Sequence, residues 1–318
     1  MDDPEDPTAL RWHQVVRLWD GAPPRASAAG SGRVWIVGCA SDVGIGRNRG
    51  RRGAAAAPAQ IRAAAANLPA LFGERLELVD AGDLSPRGED LEGFEESLAT
   101  LLAAIVEAGD FPIALGGGHE IAFGVFEGLR AGLKAAGRGG PPGIVNFDAH
   151  FDLRPEGEGE GGLSSGNMFR RIARLCQERS EEFSYRVVGI QRSSNTESLF
   201  RLAEHLGVEY HLAREYEGRG SELLVDQVRH WSSGPQPLQV SLCFDVIAAA
   251  HAPAVSAPQP FGMEPRFVLE ALRALAASGR VCGLDIAEIS PRFDRDDRTS
   301  RLAAVLLFAW INAMAGIE

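Results

Sequence analysis

Four short segments collect side chains that bind divalent cations or move protons: Gly116-Gly117-Gly118-His119-Glu120, Asp148-Ala149-His150-Phe151-Asp152, Ser241-Leu242-Cys243-Phe244-Asp245 and Asp285-Ile286-Ala287-Glu288. In the second segment three candidate ligands alternate, so an extended backbone would turn Asp148, His150 and Asp152 to one side. Two carboxylates buried together are costly unless cations neutralise them. Taken singly, His119 reads as a satisfied buried imidazole, Cys243 as a small buried hydrophobe and Asp245 as a turn residue. Four such segments in one chain weigh against those separate readings. Carboxylate oxygens combined with imidazole suit hard or borderline divalent ions such as Mn²⁺.

Each segment follows or closes an apolar, β-branched run. Such runs occupy 34–37, 76–79, 111–115, 144–147, 185–190, 238–244 and 281–286, and helical stretches fall at 58–67, 91–108, 120–136, 166–179, 222–231 and 264–277. Within 91–108, Leu91, Phe94, Leu98, Leu101, Leu102 and Ile105 keep the spacing of one helix face. Strands alternating with helices predict a three-layer α/β/α fold around a mainly parallel central sheet of about eight strands. In such sheets the ligand crevice lies beyond the carboxyl ends of the strands, where the four segments fall. Residues 1–32 read as an irregular N-terminal extension and 33–318 as one domain, interrupted by loops at 154–162 and 248–265.

Of the 318 residues, 45% are hydrophobic and 24% charged, which excludes disordered and collagen-like classes. The net charge of −11 offers no positive field for nucleic acid, so a small molecule is the expected partner. The four cysteines, Cys39, Cys176, Cys243 and Cys282, are far apart and contain no C-x-x-C pair, as in a protein of the reducing cytoplasm. The opening MDDPEDP has no apolar run of a secretory signal. The apolar stretch 302–317 contains Asn312 and is short of the roughly 20 residues a membrane span needs, so a buried C-terminal helix is expected.

Two motif matches fail on context. GLSSG (162–166) has the form of a nucleophile elbow, but EGEGEG rather than a strand precedes it. Gly44-Ile45-Gly46 has Arg49 where a dinucleotide-binding fingerprint needs its third glycine. The cluster Arg47-Asn48-Arg49-Gly50-Arg51-Arg52 reads either as a solvated loop or as a clamp for a small acidic substrate, since guanidinium matches carboxylate geometry.

In this order and spacing, GGGHE (116–120), NFDAHFDLR (146–154), SLCFDVIAAAHAPAVSAP (241–258) and LDIAEISPRFD (284–294) resemble the arginase–agmatinase–formimidoylglutamase superfamily over residues 33–314. HFDLR, the SSG turn at 164–166 and DRTSRLAA (297–304) are most similar to the formimidoylglutamase branch. That resemblance implies hydrolysis of N-formimidoyl-L-glutamate to L-glutamate and formamide. It also implies one or two Mn²⁺ ions: His119 and Asp152 on one, His150 and Asp245 on the other, and Asp148 bridging. Glu288 is similar in position to the acid that pairs with the cationic head of family substrates. Arg154, Asn48, Arg51, Ser165 and Asn167 are the expected substrate-binding residues. Two divalent ions can hold a shared water and lower its pKa towards neutrality, after which hydroxide attacks the C=N carbon. A cytoplasmic homo-oligomer is expected, relatives being commonly trimers or hexamers.

The chain departs from the superfamily pattern at three positions. Cys243 stands where a second bridging carboxylate is usual, and a thiolate there would suit Zn²⁺ or Fe²⁺ better than Mn²⁺. Ala254 replaces a usual glycine, which matters only if that residue needs positive φ. Phe169 takes the place of a histidine that serves arginase as a proton shuttle. The alternatives are another ureohydrolase, acting on agmatine or a guanidino acid, and a metal-poor ligand-binding protein on the same scaffold.

Overall fold

The computed structural model describes residues 9–25, 32–157 and 162–317. Among the described residues nine strands form one sheet: β1 (Arg17–Leu18), β2 (Gly32–Cys39), β3 (Leu76–Leu84), β4 (Phe111–Leu115), β5 (Gly143–Phe147), β6 (Tyr185–Ile190), β7 (Glu209–Leu212), β8 (Leu238–Cys243) and β9 (Val281–Ala287). Their order is β1-β3-β2-β4-β9-β8-β5-β6-β7, and every pair is parallel. Parallel strands need crossovers that cover both faces, so the central strands β4, β5 and β8 are buried along almost their whole length rather than at alternate residues. In β2, Val34 and Ile36 join the core on one face while Trp35 and Val37 join the core on the other.

The helices are α1 (Trp12–Val15), α2 (Val43–Arg47), α3 (Ala57–Ala65), α4 (Leu91–Glu107), α5 (Ile121–Ala135), α6 (Met168–Glu178), α7 (Glu197–His205), α8 (Glu222–Trp231), α9 (Pro265–Ala277) and α10 (Arg298–Met314). Apolar residues of α3, α8, α9 and α10 pack on one face of the sheet, and those of α4 to α7 on the other. The three expected layers are therefore present. Asp90 caps α4 by accepting the Gly93 N–H at 2.9 Å, which fixes where that helix begins. The C-terminal helix α10 buries Leu306, Leu307, Trp310 and Ile311. No described helix is long and apolar enough to cross a membrane.

The sequence reading missed two strands. β7 is polar, and β1 has only two residues at the sheet edge. The stretch expected to be irregular carries α1 and β1 among its described residues: Trp12 is buried beside Phe72, and β1 pairs with β3 through Arg17 and Leu18. The two aromatic rings tie it to the core. Residues 1–8, 26–31 and 158–161, which include most of the acidic N-terminus and part of the 154–162 loop, lie outside the described residues.

β4, β9, β8 and β5 lie side by side, so the four segments of candidate ligands emerge next to one another at the carboxyl edge. The chain crosses from β4 through α5 to β5 and leaves a gap that β8 and β9 later fill. A crevice at such a break in strand order is where open parallel sheets place ligands.

Candidate metal centre

After β4, Gly116 and Gly117 both take φ +84°, and a Cβ on Gly117 would meet the Cys39 carbonyl oxygen at 2.7 Å. Only glycine makes this turn without displacing backbone. It delivers His119, 1% exposed, to a water-poor floor. There the imidazole Nδ1 lies 3.0 Å from Asp148 Oδ2 and 2.9 Å from Asp152 Oδ2. Its Nε2 is 2.8 Å from Ser241 Oγ, which in turn donates to Asp285 Oδ1. Gln239 Nε2 donates to the other Asp285 oxygen at 3.0 Å. This buried chain orients the ring so that Nδ1 faces the carboxylates, the arrangement by which outer groups fix a ligating histidine.

The Asp148–Asp152 segment converges, though not as an extended strand. β5 ends at Phe147, the chain bends at Ala149 and His150, and Asp152 sits at φ +49°. Asn195 holds the bend, accepting the Phe151 N–H at 3.0 Å and donating to the Ala149 carbonyl at 2.9 Å. As a result Asp148 Oδ1 lies 3.4 Å from His150 Nδ1 while its Oδ2 faces His119. His150 Nδ1 also lies 3.0 Å from Asp245 Oδ2. Two ligand groups follow, His119–Asp148–Cys243 and Asp148–His150–Asp245, each with donor atoms within 4.8 Å of one another. Asp148 belongs to both.

The electrostatics fit a cation. Burial would raise Asp148, but the imidazoles of His119 and His150 outweigh it and hold the carboxyl below its usual range. Burial, then the charge of Asp148, pushes Asp152 up to about 6. Asp245 and Glu288 are raised chiefly by burial, Glu288 strongly. Burial opposes protonation of His119 and His150, yet their facing carboxylates raise both well above the ordinary imidazole value. Cys243, 2% exposed, is pushed far up by burial and then by Asp148 and Asp245, so its thiol is neutral. Four carboxyls crowded with two imidazoles as counter-charge form a donor set that divalent cations would neutralise directly. Oxygen and imidazole dominate it, with one sulfur.

A cavity of about 250 Å³ opens above this floor, lined by His119, His150, Asp152, Cys243, Asp245 and Glu288 below and by Asn48, Arg49, Arg51, Arg154 and Ser165 towards solvent. Glu288, at φ +72°, accepts the His119 backbone N–H at 2.9 Å. Arg154 Nη1 donates to Asn48 Oδ1 at 3.2 Å, and Asn48 Nδ2 to Ser165 Oγ at 3.4 Å. Two expected substrate contacts are committed elsewhere. The Arg51 guanidinium donates to the Val255 and Ser256 carbonyls and stacks 4.3 Å from the Phe293 ring centre, so it holds the 255–256 loop. Asn167 is 1% exposed and closes its own turn, accepting from Ser164 N at 3.1 Å and donating to Gly162 O at 2.7 Å.

Phe169 packs edge-on to His119 with ring centres 5.5 Å apart and stacks on Tyr185 at 4.4 Å, so it buttresses the imidazole and has no proton to carry. Ala254 is fully buried without positive φ, so the loss of a glycine there costs nothing in backbone strain. Ser164 and Ser165 lie in a turn before α6, not at a strand-to-helix elbow. Gly44 N donates to Glu120 Oε1 at 3.0 Å, so this backbone donor is already taken by a buried carboxylate. The four cysteines are free thiols. Reading the sequence quoted Ser241 and Asp285 within the ligand segments but gave neither a role, and it passed over Asn195; for the first two the signal was a polar side chain inside an apolar strand.

A parallel α/β sheet whose central strand ends pool carboxylates and imidazoles around one shared aspartate defines a class of metal-dependent hydrolase. The chain belongs to the arginase family, whose model it matches over residues 32–312. It is 42% identical to a formimidoylglutamase of Ralstonia nicotianae, over 99% of this chain and 94% of that one. In fold it is similar to a formimidoylglutamase from Bacillus subtilis (TM-score 0.81, 24% identity, 99% of this chain and 94% of that one). The Mn²⁺-containing formiminoglutamase of Trypanosoma cruzi is a further structural neighbour (TM-score 0.79, 22% identity, 93% and 98%).

Proposed function

We propose that this chain is a metal-dependent amidine hydrolase that cleaves the C–N bond of N-formimidoyl-L-glutamate, releasing L-glutamate and formamide. Full-length identity to formimidoylglutamases supports the substrate. For the metal reading, the observation that carries most weight is Asp148, whose two oxygens face different imidazoles. His119 and Asp152 would hold one Mn²⁺, His150 and Asp245 the other, with Asp148 between them. The Cys243 thiol stands beside the first group. When bound, two divalent ions supply the activation of water that amidine hydrolysis needs near neutral pH.

The remaining work falls to the chain's own side chains. Asp148, common to both groups, orients the attacking water. Glu288 pairs with the formimidoyl nitrogens, so the incoming amidinium supplies the positive charge its buried carboxyl lacks. That carboxylate then stabilises the charge on nitrogen as the tetrahedral carbon forms and the amine departs. Phe169, fully buried, packs edge-on against His119 and screens that imidazole from solvent. The test is release of glutamate and formamide by purified, Mn²⁺-loaded protein. Absence of turnover, alongside hydrolysis of agmatine or 4-guanidinobutyrate, would reassign the substrate within the family.

A further inference from the structure

The arginines around the mouth of the cavity are not equivalent. Arg47 donates to the Glu89 and Leu163 carbonyls, and Arg52 pairs with the Glu89 and Asp42 carboxylates. Arg51 is spent on the Val255 and Ser256 carbonyls. Arg154 gives one nitrogen to Asn48. Arg49 lines the cavity, and its guanidinium makes no hydrogen bond or ion pair among the described residues.

Its backbone adds an independent observation. α2 ends in a reverse turn in which Gly50 N bonds to Ile45 O at 2.8 Å and Arg49 N to Gly46 O at 3.0 Å. That pair of bonds is the Schellman motif, and Arg49 occupies its left-handed position at φ +60°. Glycine is the residue favoured there, because a side chain strains the backbone. Six non-glycine residues among those described have positive φ, and three of them, Arg49, Asp152 and Glu288, line this one cavity. Strained residues of this kind gather where a side chain is needed in a particular place.

We infer that Arg49 is the specificity residue that binds a carboxylate of the substrate, opposite the floor that takes its cationic end. This rests on the amidine-hydrolase reading and specifies its substrate class: an amidine carrying a carboxylate on the far side of the scissile bond. The cavity is polarised to match, with carboxylates on its buried floor and arginines at its exposed mouth. An arginine free of partners keeps its paired N–H donors for one carboxylate.

The test compares wild type with Arg49→Gly and Arg49→Lys. Losing a charge-assisted contact made equally in ground and transition states raises KM and spares kcat. For Arg49→Gly, KM for N-formimidoyl-L-glutamate should rise about 10- to 100-fold. Turnover of carboxylate-free N-propylformamidine should stay within about threefold of wild type, as expected of uniform binding energy. Because glycine suits the left-handed turn, the same variant should melt about 1–2 °C higher, which a misfolded variant would not. Arg49→Lys, retaining charge without the fork, should fall between. An unchanged KM for the acidic amidine, or an equal loss on both substrates, overturns the inference. Calorimetric binding of L-glutamate separates the two readings. A wild type that binds glutamate through Arg49 yet hydrolyses no formimidoylglutamate refutes the proposed substrate alone. Hydrolysis with KM indifferent to Arg49 refutes this inference alone, and neither binding nor hydrolysis refutes both.

Discussion

Replacing Cys243 by Asp tests whether the floor of the cavity is a cation site, because it installs the carboxylate that the family pattern expects. The Cys243 sulfur lies within 4.8 Å of the donor atoms of His119 and Asp148. A neutral thiol at that distance adds no repulsion. A carboxylate there would repel Asp148 by about 3 kcal/mol, taking 332/(ε·r) with ε near 20. Metal-free Cys243→Asp should therefore lose up to about 3 kcal/mol, or about 5 °C in melting temperature for a chain of this length at roughly 2 cal/mol/K of unfolding entropy per residue. Buried beside like charge, the new carboxyl has a raised folded-state pKa. Relative to wild type the variant is then least penalised below about pH 4, and the deficit grows as pH rises through that pKa. With Mn²⁺ the sign reverses, since a divalent ion attracts the added charge and its binding adds to folded-state stability. The assay is thermal melting in EDTA and in MnCl₂, with elemental analysis of bound metal and Cys243→Ser as the neutral control. An Asp variant that melts with wild type in EDTA and gains no additional stabilisation from Mn²⁺ would refute the electrostatic reasoning.

Three other outcomes are expected. Metal affinity should climb with pH between 6 and 8, about tenfold per unit for each proton displaced, because His119 and His150 hold protons above the ordinary imidazole range; titration calorimetry in buffers of differing ionisation enthalpy counts those protons. Gly117→Ala should cost about 1–3 kcal/mol in denaturant melts and weaken metal-induced stabilisation, since its Cβ would collide with the Cys39 carbonyl and shift His119. Arg171→Met should cost about 3–5 kcal/mol by stranding Glu95, whose carboxylate it clamps at 2.7 and 2.6 Å. Burial already raises Glu95, so its stranded carboxyl favours folding while protonated. The deficit in urea melts should accordingly be smaller near pH 4.5 than at pH 8.

Much of the fold was legible because parallel strands buried on both faces leave unmistakable apolar runs. Seven runs marked seven strands, and five long helices, α4, α5, α6, α8 and α9, fell within two residues of their predicted ends. β7 and α7 escaped because β7 is short and polar and α7 buries only Leu199, Phe200 and Ala203. In the site, His119, Asp148, His150, Asp152, Asp245 and Glu288 were nominated from strand-end positions, and the structure brings them together: five line one cavity, and Asp148 is buried against His119 and His150. The substrate side was harder to read. Arg51 and Asn167, expected at the substrate, also bond to backbone groups, and Arg49 read both as a failed third glycine and as one member of a basic cluster that could clamp an acidic substrate.

Residue order by itself determined which side chains follow which strands, since a strand's apolar run and the polar segment after it are local features. It also set the glycine turn ahead of His119. Tertiary structure alone decided that β9 and β8 enter between β4 and β5, which turns four separated segments into neighbours. It likewise decided that, of the arginines lining the cavity, Arg49 makes no side-chain hydrogen bond or ion pair among the described residues. Neither is written in local pattern, because strand order and hydrogen-bond partners depend on contacts between residues a hundred or more positions apart, such as Arg51 with Val255 or His119 with Glu288.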